Sequence, residues 1–332
     1  MNYLRISITF FVSLLALTAF SQSEIEKNAQ KFTRSLSVIK SYYVDTTNIE
    51  ALTENAIRGM LKELDPHSVY LSKDEITKAN EPLEGNFEGI GIQFNILNDT
   101  ILVISPITGG PSEKLGIMSG DKIIKIENEE ATGSKINNQW VVERLRGKKG
   151  TEVTISIQRQ GVEELIDYTI VRDKIPIFSL DASYMVSKDV GYIKLNRFSA
   201  TTMKEFRDAH NDLKKQGIKH LILDLRGNSG GYLKTAIELA DEFIEEGKTI
   251  VYTEGTYSPI QRFNSTNTGV FQKGRVVVLV DEGSASASEI VAGAIQDWDR
   301  GLVIGRRTFG KGLVQKPFYL TDGSAIRLTT AR

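Results

Sequence analysis

The chain has 332 residues, 40% of them hydrophobic, enough for two or three domains with real cores. Its formal net charge of −1 gives no broad attraction to nucleic acid or an anionic membrane surface. There are no cysteines, which excludes disulfides, cysteine nucleophiles, thiolate metal sites and a lipid-modified N-terminal cysteine.

At the N-terminus Arg5 precedes an apolar stretch from Ile6 to Phe20, which Ser21-Gln22-Ser23-Glu24 breaks. The pattern predicts a secretory signal peptide over residues 1–21, cleaved after Ala19-Phe20-Ser21. The apolar run is short for a membrane span, and an uncleaved anchor is the alternative. Residues 22–84 are predicted to be helical, with Ile49, Leu52, Ala56, Ile57, Met60 and Leu61 on one recurring face. Asp65-Pro66-His67-Ser68 ends that pattern. His67 has no ligand partner nearby in sequence, and His210 and His220 are equally isolated, so no metal or histidine-based site is expected.

Residues 85–172 read as a β-rich module. Gly89-Ile90-Gly91-Ile92-Gln93-Phe94 is a glycine turn leading into alternation, with Ile90, Ile92 and Phe94 on one face. Ile101 to Ile104, the turn Gly109-Gly110-Pro111, the loop Ser119-Gly120-Asp121, a strand Lys122 to Ile126 and an amphipathic helix Ile136 to Leu145 follow. A hairpin from Val153 to Ile170 closes the module. This succession resembles a PDZ domain. The resemblance implies a peptide groove between Ile90–Phe94 and the helix, with the amides of Gly89, Ile90, Gly91 and Ile92 facing a C-terminal carboxylate and an apolar lining that prefers an apolar last residue. The glycines would equally serve a plain bulge.

In the last segment, 173–332, two strand-turn-helix units stand out. The first is Leu221 to Leu225, then Arg226-Gly227-Asn228-Ser229-Gly230-Gly231, then a helix Tyr232 to Ile244. Its glycines can present main-chain N–H groups to an anion, or simply make a tight turn. The second is Val276 to Val280, then Gly283-Ser284-Ala285-Ser286-Ala287-Ser288-Glu289, then helical spacing from Ile290 to Trp298. A serine at such a turn meets unpaired helix N–H groups and the positive dipole end, as a nucleophile generating an oxyanion requires. Three serines compete for the role, and a helix cap is the ordinary use of any of them. Downstream, Lys311 is a candidate general base if burial by Phe309 and Leu313, or repulsion from Arg306 and Arg307, destabilises its ammonium. Gly310 and Gly312 suggest close backbone approach there. The loop Gly305 to Gly312 also approximates a phosphate-binding P-loop, but Gly312 replaces the metal-binding hydroxyl and the following Leu313 to Pro317 reads as extended chain.

Four blocks together resemble the carboxyl-terminal processing, or tail-specific, serine protease family: Asp224 to Gly231, Ser284 to Glu289, Gln296-Asp297, and Thr308 to Gly312, in that family's order. The resemblance makes Ser286 the nucleophile, Lys311 the general base and Gln315 its orienting partner. It places the oxyanion hole at Gly230, Gly231 and Ala287, and implies peptide binding at Gly89 to Ile92, Phe94 and Arg146, with Arg146 sensing an occupied groove. The implied fold is α/β, a crotonase/ClpP-like protease core with a PDZ domain and an N-terminal helical segment. No cofactor or metal is implied. The implied partners are proteins or peptides with apolar C-termini, with an adaptor and a homo-oligomer compatible, in the periplasm or cell envelope. Asp297 is too far along its helix to orient a base at Ser286, roughly 16 Å at about 1.5 Å per residue, and is expected to pair with Arg300. The chain stops within an expected strand, Ile326 to Arg332, where family members usually continue. The alternatives are a non-catalytic peptide-binding scaffold and an acyl-transfer enzyme of the crotonase type.

Overall fold

The computed structural model describes residues 23–332, so the expected signal peptide lies outside the described residues. The chain divides into two compact units, one ending at Tyr70 and including Ile326–Leu328, the other comprising Leu71–Ala325 and Thr329–Arg332.

In the first unit residues 23–42 are helical, followed by the helix Ile49–Lys62, whose N-cap Asn48 accepts the Ala51 N–H at 3.0 Å. Leu61 is buried and Ile49, Ala56 and Ile57 are half-buried, but Leu52 and Met60 are exposed, so the inward stripe is narrower than the sequence predicts. Asp65 ends the pattern by accepting the N–H groups of His67 and Ser68 at 2.7 and 2.9 Å. Among the described residues no helix is long and apolar enough to cross a membrane.

The larger unit begins with a helix Lys73–Glu84, opened by a Ser72/Glu75 capping box and closed by Gly85 at φ 76°. From there the strand Asn86–Gly89 runs antiparallel to Asp173–Pro176. These two strands form a stalk that carries the chain out to the PDZ-like module and back. Within the module five antiparallel strands lie in the order Ile92–Leu97, Thr100–Pro106, Lys122–Ile126, Glu152–Gln158, Ile166–Val171, so Ile92–Leu97 is an edge. The alternate residues Ile101, Val103, Ile123, Ile155, Ile157 and Ile170 are buried and meet Val141 and Leu145 of the helix Asn138–Leu145.

The second body of this unit is a five-stranded sheet in the order Leu180–Met185, Val190–Leu195, His220–Asp224, Val276–Val280, Leu302–Gly305. Only the first pair is antiparallel. A parallel sheet needs apolar cover on its faces, and the helices Thr202–Lys215, Leu233–Asp241 and Ala287–Asp297 supply it. The helices start later or end earlier than residue pattern alone suggests: Leu233–Asp241 replaces the expected Tyr232 to Ile244. The strand Val276–Val280 ends where its β-branched run ends.

The helix Thr202–Lys215 buries Met203, Phe206, His210 and Leu213 along one stripe. His210 is therefore a core residue, stacked on Phe206 at 6.5 Å and edge-on to Phe271 at 5.6 Å, with no hydrogen-bond partner for its buried Nδ1. Burial first, and the Lys214 charge second, hold the imidazole below its ordinary pKa of 6.5, against the pull of Glu242. The unfolded chain thus takes up this proton first as pH falls. Urea denaturation should show stability contributed at this position above pH 6.5 and lost below it, and His210→Phe should remove that loss relative to the parent chain.

Candidate active site

The ends of the parallel strands place three loops side by side at one sheet edge. The first follows Val276–Val280 and turns into the helix Ala287–Asp297 through Ser286, whose backbone sits at φ 54°, ψ −108°. A left-handed, non-glycine residue at a strand-to-helix turn is strained, by about 1–3 kcal/mol, and such strain concentrates at functional sites. The three serines separate here. Ser284 and Ser288 are both 0% exposed, and their hydroxyls donate to the carbonyls of Leu225 and Asn228, each at 2.8 Å. Ser286 alone of the three is half-buried and reachable.

One carboxylate ties this turn to the lysine loop. Glu289, one helical turn after Ser286, accepts the Ser286 N–H at 2.7 Å and the Lys311 N–H at 2.9 Å on the same oxygen, Oε2. Its Oε1 accepts the Thr308 hydroxyl and the Gly310 N–H, each at 2.7 Å. Burial alone would raise the Glu289 pKa, but hydrogen bonds from Thr308, Ser286, Lys311 and Gly310 outweigh it and hold the carboxyl below the usual range. The Lys311 side chain is half-buried, and its Nζ donates to Gln315 Oε1 at 3.0 Å.

Two expected influences on Lys311 are corrected by the structure. Phe309 is 62% exposed and turned to solvent, and the Arg306 guanidinium is engaged by Glu282 at 2.5 and 3.0 Å. Gly310 is required for its φ of 87°, not for close approach, since nothing lies near the position of an added Cβ. Asp297 is exposed as expected of a residue with no catalytic role, but Arg300 does not pair with it. Arg300 donates instead to the carbonyls of Phe243, Phe271 and Gly274 at 2.7–2.8 Å.

The second loop, Arg226 to Gly231, faces the serine turn. Asp224 is 0% exposed at the end of its strand, and receives the Tyr192 hydroxyl at 2.6 Å and the Arg226 guanidinium at 2.6–3.1 Å. Asn228, also 0% exposed, donates to Leu195 O at 3.0 Å, while its own carbonyl accepts the Ala285 N–H at 3.0 Å. Gly230 passes so close to the serine turn that an added Cβ would lie 3.0 Å from Ser286 Cβ and 3.1 Å from Ala287 N. Its amide, however, is engaged by Asn228 Oδ1 at 3.0 Å, which corrects the expectation that the Gly230 N–H faces an oxyanion. Gly231, at φ 151°, lies against Phe198, where a Cβ would come within 2.0 Å of the carbonyl oxygen. Glu289, Asn228 and Asp224 carry no role in the sequence reading. A serine followed three residues later by glutamate at a helix start is a capping-box signal, and it was available for Glu289.

In the PDZ-like module the edge strand presents Ile92 and Phe94, half-buried against the core, beside the helix Asn138–Leu145. The Ile90 side chain is 2% exposed, so only its backbone can meet a ligand. Gly89 is paired with Asp173 on one side and bridged to Arg146 on the other. The Arg146 guanidinium binds Glu81 of the helix Lys73–Glu84 and stacks 4.5 Å over Phe87.

Residues 189–332 match the model of peptidase family S41, 89–170 that of a PDZ domain, and 14–75 that of the activating protease CtpB N-terminal domain. A carboxy-terminal-processing protease of Bartonella bacilliformis is 36% identical across 98% of this chain and 75% of its own length. The chain belongs to the carboxy-terminal processing serine proteases of family S41. CtpA of Bacillus subtilis is 39% identical over 94% of this chain. Among solved structures, the photosystem II D1 C-terminal processing protease superposes with a TM-score of 0.51 at 28% identity, covering 91% of this chain and 81% of that one. An S41 protease structure from Bacteroides fragilis, 20% identical with a TM-score of 0.50 over 90% of this chain and 84% of that one, shares the fold. The chain spans 75% of the length of the Bartonella bacilliformis protease and 66% of that of CtpA.

Because Glu289 ties the serine turn to the lysine loop through four hydrogen bonds, beside the Phe309 N–H that donates to Ser284 O at 3.0 Å, its loss should disorganise both. Glu289→Ala is expected to lower kcat for peptide cleavage by about 100-fold, the order expected of misplacement by about 1 Å. Peptide affinity of the PDZ module, measured by calorimetry, should be unchanged.

Proposed function

We propose that this protein is an exported endopeptidase that recruits proteins by their C-terminal tails through its PDZ domain and cuts them with a Ser286/Lys311 dyad. The observation that carries the reading is the Glu289 carboxylate, which receives the backbone N–H groups of Ser286 and Lys311 on one oxygen. Two nitrogens bound to one atom cannot be further apart than the sum of the two bonds, so the turn and the loop are held in register. Ser286 Oγ attacks the scissile carbonyl, and Lys311 as the neutral amine takes the hydroxyl proton and returns it to the leaving amine. Gln315 orients the amine through its 3.0 Å hydrogen bond. The Ala287 and Gly231 amides stabilise the tetrahedral oxyanion, and Gly230 supplies the room for that wall to approach Ser286.

The substrate tail pairs with the open edge Ile92–Leu97, and its carboxylate meets the turn from Ile90 to Ile92. Its apolar last side chain packs against Ile92 and Phe94. Arg146, bound to Glu81 at the base of the module, is placed to report occupancy of the groove to the stalk. Export by the leader 1–21, self-association and an adaptor complete the reading, the exposed apolar side chains Ile25, Phe32, Ile39 and Tyr43 of the N-terminal segment favouring self-association.

Mass spectrometry of an unstructured protein with an apolar C-terminus tests the chemistry. Ser286→Ala and Lys311→Ala should each abolish cleavage while leaving peptide binding intact, and a fully active Lys311→Ala protein would sink the dyad. Amidation of the peptide's C-terminus should weaken binding about tenfold or more, because the carboxylate's charge-assisted hydrogen bonds are lost.

A further inference from the structure

The two walls of the oxyanion hole come from loops more than fifty residues apart in sequence, and a second carboxylate bridges them at the end opposite Ser286. Asp281, the first residue after the strand Val276–Val280, accepts the Gly227 N–H at 2.8 Å and the Gly283 N–H at 3.0 Å on Oδ1. Gly227 begins the glycine loop and Gly283 begins the serine turn. The two backbones touch there, an added Cβ on Gly283 falling 2.9 Å from Gly227 Cα. Ser284 reinforces the contact by donating its hydroxyl to Leu225 O at 2.8 Å while accepting the Asp281 N–H at 3.0 Å. Beyond it Asn228 O accepts the Ala285 N–H, and Gly230 meets Ser286 and Ala287. The loops therefore run face to face, and their separation at the reacting end follows from where they are joined at the start.

We propose that Asp281 is a positioning residue that sets the spacing between the glycine loop and the serine turn, and so the geometry of the oxyanion hole. This rests on the serine-protease reading of the same site. Asp281 makes no contact with the reacting atoms. Its role is to give two amides one acceptor at a fixed place. Its nearest cation, Arg306, lies 4.0 Å from Oδ2 and is engaged by Glu282, so the acceptor's position rather than its charge does the holding.

Three variants separate position from charge. Asp281→Asn keeps an acceptor oxygen in place without charge, Asp281→Glu keeps the charge but moves the oxygens by one methylene, and Asp281→Ala removes both. The expected result is a kcat about 10- to 100-fold lower in the Ala and Glu variants, with KM within about threefold, and most of the activity restored in the Asn variant. Hydrogen exchange by mass spectrometry should show faster exchange in both 226–231 and 281–286 for the Ala variant, with the strand His220–Asp224 unchanged. The proposal is overturned if the Glu variant is fully active while Asn is not, or if exchange rises only in 281–286. If Asp281→Ala does not fold, the Asn and Glu variants give the same discrimination. Ser286→Ala in the same cleavage assay tests the protease reading separately. Activity surviving there would refute Ser286 as the nucleophile, while the exchange measurement would still report whether Asp281 joins the loops.

Discussion

A half-buried carboxylate with four donors around it is the constraint on which the candidate site depends. Desolvating a charge is costly unless it is hydrogen-bonded, and Glu289 meets that demand with the amides of Ser286, Gly310 and Lys311 and the hydroxyl of Thr308. Hydrogen bonds to an ionised group contribute about 1.5–3 kcal/mol each, enough to offset the strain of a left-handed serine of about 1–3 kcal/mol. The same bonds decide where the lysine loop stands. Satisfying one half-buried charge and bringing the Ser286 turn to the Lys311 loop are one requirement.

The walls of the site are built from small residues for a related reason. Three loops of a parallel sheet converge at one edge, and backbones can pass within contact of each other only where side chains are absent or short. Gly283 meets Gly227, and Gly230 meets Ser286 and Ala287. Ser284 and Ser288 then have a use other than chemistry: their buried hydroxyls find acceptors in the Leu225 and Asn228 carbonyls and tie the serine turn to the neighbouring loop. Arg226 and Tyr192 do the same for Asp224. The polar groups that surround Ser286 are thus mostly engaged with each other, which holds the loops rigid.

The PDZ module joins the catalytic body through paired strands rather than a loose linker. Asn86–Gly89 and Asp173–Pro176 pair along their length, the Ile177 N–H donates to Gly85 O at 2.8 Å, and the Ala200 N–H donates to Leu83 O at 2.8 Å. Ala200 lies two residues from Phe198, which is bridged to Gly231. The base of the stalk and the glycine loop are therefore connected through a short stretch of hydrogen-bonded backbone. Arg146 adds a side-chain tie, binding Glu81 across to the helix that precedes the stalk.

The elements themselves were legible in the chain. An apolar β-branched run such as Val276–Val280 prefers extended backbone whatever surrounds it, the alternation at Ile90, Ile92 and Phe94 marks a half-buried strand, and the order of the signature blocks places the chain in its family. Those signals are local, and local preferences are set by neighbouring residues. What the tertiary structure alone decided is which groups are engaged. Ser284, Ser286 and Ser288 are alike in sequence, and only partners on the glycine loop separate them. The Gly230 amide turns to Asn228, Arg306 is drawn to Glu282, and Glu289 reaches across to a loop about twenty residues on. Each outcome depends on which loops the parallel sheet brings to one edge, because a hydrogen bond is fixed by distance in space and no pattern along the chain encodes that distance.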